Sequence, residues 1–247
     1  MNLQIVAVAD GPPKHDYLIR GYEAFVASCV RHGIAPTILG WDQPWTGLGC
    51  KPKLIKKAIE EGVVNADYII FADAFDVVFA RSPYTALQTF KDNWESQYRI
   101  MWNAERYCFP DESLAQFHPE TPYPWKFLNS GLSIGKTQDY LQVLTEMKVD
   151  DIADDFQVNG IWSHSNDQLN VQHKFLFGQC APHELKMGLD SECSMFQTMI
   201  GETMDTFEWQ DGKLRNKITG QFPSALHFNG NSKTAGLMEP ILKELGL

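Results

Sequence analysis

Two aspartates stand three positions apart, Asp73 and Asp76, in the stretch Tyr68-Ile69-Ile70-Phe71-Ala72-Asp73-Ala74-Phe75-Asp76-Val77-Val78, an apolar run that ends in two carboxylates. Such a run reads as a buried central strand, and open α/β sheets bind their ligands beyond the carboxyl ends of such strands. Paired hard oxygen ligands at that place suggest a divalent cation, since Mg2+ or Mn2+ is commonly held by one or two carboxylates together with the phosphates of a substrate. A helix-capping Asp beside a solvated one is the plainer use of the same pair, since Asp is common at strand ends for local reasons. His227 stands at a second strand-to-loop junction, after Ala225-Leu226 and ahead of Phe228-Asn229-Gly230-Asn231-Ser232-Lys233. It is the third candidate ligand, and Lys233 behind a glycine-containing turn suits a phosphate. A hydrogen-bonded core histidine is the alternative.

Periodicity shows which elements would position these groups. Ile5 to Ala9 reads as a first strand, followed by a helix with Leu18, Tyr22, Phe25, Val26, Cys29 and Val30 on one face and Gly33 at its end. Pro36 to Gly40 reads as the next strand, so the chain opens β-α-β, as a doubly wound parallel sheet does. The Trp41 to Cys50 loop leads to a helix beginning near Pro52 and capped by Gly62, and Ser82-Pro83 opens another. Arg99 to Asn103 is strand-like. Cys108 to Pro124, rich in aromatic, proline and acidic residues, reads as a functional loop over one end of the sheet. Phe127 to Gly135 is a further strand, Thr137 caps the next helix, and Ser165-Asn166-Asp167-Gln168 opens another. Segments at Ser194 to Thr198 and Ala225 to Phe228 are expected to complete the sheet. The cluster Asp150, Asp151, Asp154, Asp155 reads as a solvated connection, its spacing not being that of an EF-hand. The expectation is an α/β fold with a mostly parallel twisted central sheet flanked by helices, one domain over residues 1–247.

With 44% hydrophobic and 21% charged residues, the composition argues against disordered and membrane classes, and no apolar stretch is long enough to span a bilayer. The amino terminus, Met1 to Ala9, reads as a strand without a basic leader, so a cytoplasmic location is expected. Cys29, Cys50, Cys108, Cys180 and Cys193 form no CxxC pair and are odd in number, which disfavours a zinc knuckle or a complete disulfide framework. A formal net charge of −10 opposes non-specific attraction to nucleic acid or to an anionic membrane.

Taken in order, several blocks resemble the glycosyltransferase domain of collagen lysyl hydroxylases, a GT-A-type (Rossmann-like) nucleotide-sugar transferase. They are Trp45-Thr46-Gly47-Leu48-Gly49-Cys50-Lys51, Ala72-Asp73-Ala74-Phe75-Asp76-Val77-Val78, Asn103-Ala104-Glu105-Arg106-Tyr107-Cys108-Phe109-Pro110 and Phe127-Leu128-Asn129-Ser130-Gly131. Asn166-Asp167-Gln168-Leu169, Asp190-Ser191 through Phe196-Gln197, and the His227 to Lys233 block follow. The resemblance spans nearly the whole chain.

It implies that Asp73, Asp76 and His227 hold Mn2+, with Mg2+ as the other cation, and that the metal grips the diphosphate of a UDP-sugar. An imidazole beside two carboxylates suits Mn2+ better than Mg2+. Phe75 matches a family Tyr that stacks on uracil; Lys51 matches a family lysine placed to contact the nucleotide-sugar, and Lys233 is a candidate to hold the phosphates, an exposed lysine being the alternative for each. Asp10 replaces a threonine after the first strand, so backbone groups of Val8 and Ala9 are the expected uridine contacts there. Asp167 is the surviving member of an acidic run, here Ser163-His164-Ser165-Asn166-Asp167, and is the candidate catalytic carboxylate. A first-turn helix Asp is its alternative reading. Asn129, Gln168, Gln197 and Asn229, the last beside Gly230, are candidate sugar-hydroxyl partners, while Glu105 and Phe109 are expected on the acceptor side. The resemblance implies a UDP-sugar donor and hydroxylysine in a collagen-like protein as acceptor; another protein, a glycan or lipid precursor, or a hydroxymethylated DNA base are the alternative acceptors, and no membrane partner is expected. A metal-dependent nucleotide-sugar phosphohydrolase and a non-catalytic nucleotide-sugar-binding protein are the competing classes.

Overall fold

The computed structural model describes residues 2–13, 15–152, 157–158, 161–162, 166–178, 185–233 and 236–247, without the side chains at 157, 158, 161, 162 and 233. The strands are β1 (Leu3–Val8), β2 (Thr37–Leu39), β3 (Tyr68–Ala72), β4 (Val77–Phe79), β5 (Ile100–Glu105), β6 (Phe127–Lys136) and β7 (Gln157–Val158). They continue with β8 (Ile161–Trp162), β9 (Met187–Asp190), β10 (Phe196–Thr198), β11 (Phe207–Gln210), β12 (Lys213–Asn216) and β13 (Ala225–His227). The helices are α1 (Asp16–Arg31), α2 (Cys50–Glu60), α3 (Pro83–Asn93), α4 (Thr137–Glu146), α5 (Asp167–Phe177) and α6 (Met238–Leu245).

The main sheet has the order β2-β1-β3-β6-β5-β9. The pairs β2/β1, β1/β3 and β5/β9 are parallel, and β6 runs against both its neighbours. Alternation along the strands explains how it is covered. Ile5, Ala7 and Ile70 face a core with Phe25 of α1 and Phe90 of α3, whereas Val6, Val8, Ile69 and Phe71 face Ile55 of α2, Leu144 of α4 and Val171 of α5. Both faces are therefore dry, which accounts for the unbroken apolar runs of the central strands.

The segments at 194–198 and 225–228 do not complete that sheet. They form β10 and β13 of a second sheet, ordered β10-β13-β4. The reason lies in the run from Tyr68 to Val78, which is two strands. The chain turns at 73–76, and β4 then pairs with β13. Val77 and Phe79 pack into one core and Val78 into another with Phe228 and Ile241, so β4 is apolar on both sides and carries no polar mark of the switch.

Smaller differences follow the same logic. α2 starts at Cys50, two residues ahead of Pro52, and the Thr137 hydroxyl donates to the carbonyl of Ala66 instead of capping α4. Of the acidic cluster, Asp150 pairs with Lys56 at 3.0 Å, while Asp154 and Asp155 lie outside the described residues, as does Cys180. Among the described residues, no helix is long and apolar enough to cross a membrane.

Candidate active site

β3 ends at Ala72, so Asp73 is the first residue past the carboxyl end of a central strand and Asp76 closes the turn before β4. Strand pairing brings His227 to them, because β13 runs antiparallel to β4 with His227 opposite Val77. The Phe228 amide donates to the Asp76 carbonyl at 2.7 Å and clamps that junction. His227 Nε2 lies 3.2 Å from Asp76 Oδ1 and 3.8 Å from Asp73 Oδ2, and one ligand atom from each residue falls within 4.8 Å of the others. Burial, with the neighbouring Asp76 carboxylate adding to it, pushes the Asp73 carboxyl above its ordinary value. Two carboxylates and an imidazole converging on one point could hold a divalent cation through oxygen and nitrogen donors.

Gly131 makes the convergence possible. A Cβ at that position would stand 2.2 Å from His227 Cε1 and 2.8 Å from Asp73 Oδ2. Its carbonyl also accepts from the Asp73 amide at 2.8 Å. Gly131 sits in a bulge of β6: Trp102 faces Ser133 across the ladder and Asn103 faces Asn129, so residues 130–132 are looped out from β5. Bulges of this kind re-aim groups beside active sites. Residues beside and within the bulge serve the site. Asn129 Oδ1 lies 2.9 Å from His227 Nδ1, and the Ser130 hydroxyl donates to Asp167 Oδ2 at 3.1 Å.

Asp167 is the first residue of α5, whose N-cap Asn166 accepts from the Leu169 amide at 3.0 Å. Lys51, at the start of α2, links the two acidic centres, its Nζ lying 2.7 Å from Asp73 Oδ1 and 3.4 Å from Asp167 Oδ2. Burial favours the neutral amine, but Asp167 and Asp73 outweigh it and hold the ammonium well above its ordinary pKa. The remainder of the acidic run, 163–165, lies outside the described residues.

Beside the cluster opens a cavity of about 250 Å³ lined by Val8, Asp10, Trp45, Lys51, Asp73 and Phe75 among others. A second, of about 330 Å³, shares Val8, Asp10 and Trp45 and adds Ala9. The Phe75 ring is partly exposed and lies 6.0 Å from that of Tyr22, which lies 5.8 Å from Trp41. Ala9 donates its amide to the Leu39 carbonyl and Asp10 lends its carbonyl to the Asp42 amide, so those two backbone groups are committed to the fold. Helix α1 reaches the site through Gly21, where a Cβ would overlap the Phe75 carbonyl oxygen at 1.8 Å.

On the other side of His227, Glu105 ends β5 and is buried among amides. It accepts from Gln168 Nε2 at 2.7 Å, Asn229 Nδ2 at 2.9 Å and Asn129 Nδ2 at 3.3 Å. Burial pushes its carboxyl up to about 7 even against these bonds. Gln168 Nε2 also donates to the Phe109 carbonyl at 2.9 Å, which leaves the Phe109 ring exposed. Residues expected to meet sugar hydroxyls separately are thus bonded to one another. Gln197 is not brought to this network: it is fully buried, with Nε2 donating to the Thr198 carbonyl and Oε1 accepting from Asn216, both at 2.7 Å. Gly230 has φ +61°, and the Lys233 side chain lies outside the described ones. Asp190 is structural, its carboxylate accepting from the amides of Ser194, Met195 and Phe196.

Sequence reasoning about chemistry passed over Gly21, Ser130 and Gly131. Ser130 and Gly131 lie in Phe127-Leu128-Asn129-Ser130-Gly131, but a glycine offers no functional group, and its use as space emerges only once His227 is placed opposite.

The whole chain superposes on the crystal structure of a glycosyltransferase involved in glycosylating the major capsid of PBCV-1, with TM-score 0.54, 12% identity and 99% coverage of each chain. The architecture is that of a GT-A-like glycosyltransferase, a mixed α/β sheet flanked by helices. Residues 2–238 match the family model described as the PLOD GT domain, and the chain belongs to that family. It is 30% identical over 225 residues to the rat multifunctional procollagen lysine hydroxylase and glycosyltransferase LH3, covering 86% of this chain. It is 31% identical over 227 residues to the Drosophila melanogaster procollagen-lysine,2-oxoglutarate 5-dioxygenase, again covering 86%. The chain spans 28% and 29% of the length of those two relatives.

Proposed function

We propose that residues 1–247 form one metal-dependent glycosyltransferase unit that moves a sugar from a UDP-sugar to a hydroxyl acceptor. The observation that carries this reading is the convergence of Asp73, Asp76 and His227 beside a cavity that the two aspartates line together with Phe75 and Lys51. Asp73, Asp76 and His227 would hold a divalent cation, with Mn2+ favoured by the imidazole, and when bound it would supply roughly several kcal/mol of Lewis-acid stabilisation to the charge on the departing diphosphate.

The chain's own groups do the rest. Phe75 offers a ring face for the base, and the Lys51 ammonium lies close enough to the aspartates to meet the diphosphate as well. Asp167, held by Ser130 and Lys51, is the carboxylate that orients the acceptor hydroxyl or steadies positive charge on the sugar ring. Glu105 and the exposed Phe109 ring mark the acceptor side. The relatives' names point to a hydroxylated lysine of a procollagen-like protein as acceptor. A hydroxymethylated DNA base is the second acceptor class, and the net charge of −10 weighs against it.

The test is product analysis. The protein is incubated with UDP-glucose, UDP-galactose and UDP-arabinose, with Mn2+ or EDTA, and with a hydroxylysine peptide or a hydroxymethylated oligonucleotide. Transfer predicts intact UDP and a sugar-bearing acceptor in the Mn2+ samples alone. Sugar phosphate as the product would instead establish a phosphohydrolase.

A further inference from the structure

We infer that Asn129 is a positioning residue: its carboxamide oxygen keeps the proton of His227 on Nδ1 and so presents Nε2 as the ligand atom. The inference rests on the reading of Asp73, Asp76 and His227 as a cation site and concerns how that site is made ready.

The orientation of the Asn129 amide follows from its other bonds. Oδ1 lies 3.0 Å from the backbone amide of Gly131, which can only donate, so that atom is an acceptor. Nδ2 lies 3.3 Å from a carboxylate oxygen of Glu105, which places the donor end there. Oδ1 is thus an oxygen, and the 2.9 Å contact to His227 Nδ1 requires a proton on Nδ1. The ring then turns Nε2 toward the two carboxylates, 3.2 and 3.8 Å away. With the proton on the other nitrogen, two lone pairs would face each other across 2.9 Å and an N–H would stand where a ligand atom is needed.

Position reinforces the argument. Both partners are buried, and Asn129 stands at the edge of the β6 bulge, where Gly131 clears the space that the His227 ring fills. A side chain that fixes the tautomer and rotation of a ligating histidine raises metal affinity by roughly 10–100-fold.

Two measurements test this. Long-range 1H–15N NMR of the imidazoles in protein loaded with diamagnetic Zn2+ reads the state of His227 directly. The inference expects a protonated Nδ1, and a bare Nδ1 would overturn it with no variant made. Free Mn2+ followed by EPR during titration gives affinity, with circular dichroism melts recording that each variant is folded. Asn129→Leu should bind Mn2+ about 10–100-fold more weakly. Asn129→Asp, which keeps an oxygen acceptor for His227 Nδ1 and loses the donor to Glu105, should bind Mn2+ more tightly than Asn129→Leu. Were Asn129 merely structural, acting through its bond to Glu105, the two variants would lose affinity alike. Unchanged affinity in Asn129→Leu overturns the inference while leaving the cation site standing. If the wild type binds no better than Asp76→Ala, the cation reading fails and the inference falls with it.

Discussion

Gly131 and His227 share a volume that only a hydrogen atom leaves free, since a Cβ on Gly131 would come within 2.2 Å of His227 Cε1. One backbone position therefore decides whether the imidazole can reach the aspartates. Because the same Cβ would press on Asp73 Oδ2, neither neighbour has room to yield without opening the cluster. Gly131→Ala should abolish the Mn2+-dependent thermal shift. The melting of the metal-free protein should fall by the equivalent of about 1–3 kcal/mol, the usual cost of overpacking. An alanine variant that still responds to Mn2+ like the wild type would show that the three residues do not act together.

Phe75 supplies a partly exposed aromatic face between the two aspartates. Stacking of a base on such a ring is worth roughly 1–3 kcal/mol. Phe75→Ala should weaken UDP by about 10–100-fold in calorimetric titration with Mn2+ present, while Phe75→Tyr should match the wild type. Equal affinities in all three proteins would place the base elsewhere.

Glu105 makes stability fall with rising pH. Burial lifts its carboxyl from the ordinary 4.5 to about 7, so between those values the folded chain holds a proton that the unfolded chain has released. The folded state is favoured most below about 4.5 and loses that advantage as pH climbs to about 7, by something on the order of 3 kcal/mol. His118 acts in the opposite sense, burial having lowered it to about 4; its contribution is present above its ordinary value of 6.5 and is lost as pH falls toward 4. Urea unfolding of wild type and Glu105→Gln at matched pH cancels the His118 contribution. The wild type should lose more stability than the variant between pH 5 and pH 8, and parallel pH curves would assign the Glu105 carboxyl an ordinary pKa.

Asp167 is held by Ser130 and Lys51 and has no part in the proposed cation cluster. Asp167→Asn should keep UDP affinity and lose turnover by about 10²–10⁴-fold, the range of a positioned acid or base. Full turnover in the variant would reduce Asp167 to a first-turn helix residue.

Much of this was legible in the sequence because chemistry-bearing residues stand at punctuation. Asp73 follows five apolar residues, His227 precedes a glycine turn, and Asp167 opens a helix behind a capping Asn. Residues that act by absence or by mutual bonding were not. Gly21 and Gly131 serve as space, which has no pattern until the facing atoms are placed. Asn129, Gln168 and Asn229 read as separate sugar contacts and Glu105 as an acceptor-side residue, yet they come from β6, α5, the turn after β13 and β5, and only tertiary pairing turns them inward on one another. The second sheet was hidden for a related reason. Val77, Val78 and Phe79 are covered on both faces by different cores, so a change of sheet reads as a continuous strand.

The central claim is metal-dependent binding of a UDP-sugar at Asp73, Asp76 and His227. The most direct test is a thermal-shift panel of UDP-glucose, UDP-galactose, UDP-arabinose, UDP and GDP, each with Mn2+ and with EDTA, on wild type and Asp76→Ala. A ligand at a hundred times its Kd adds about 2.7 kcal/mol, or roughly 5–10 °C for a chain of this size. The account predicts such a rise with UDP and at least one UDP-sugar in Mn2+, absent in EDTA and in Asp76→Ala. Melting that is the same with every nucleotide, with or without Mn2+, would contradict it.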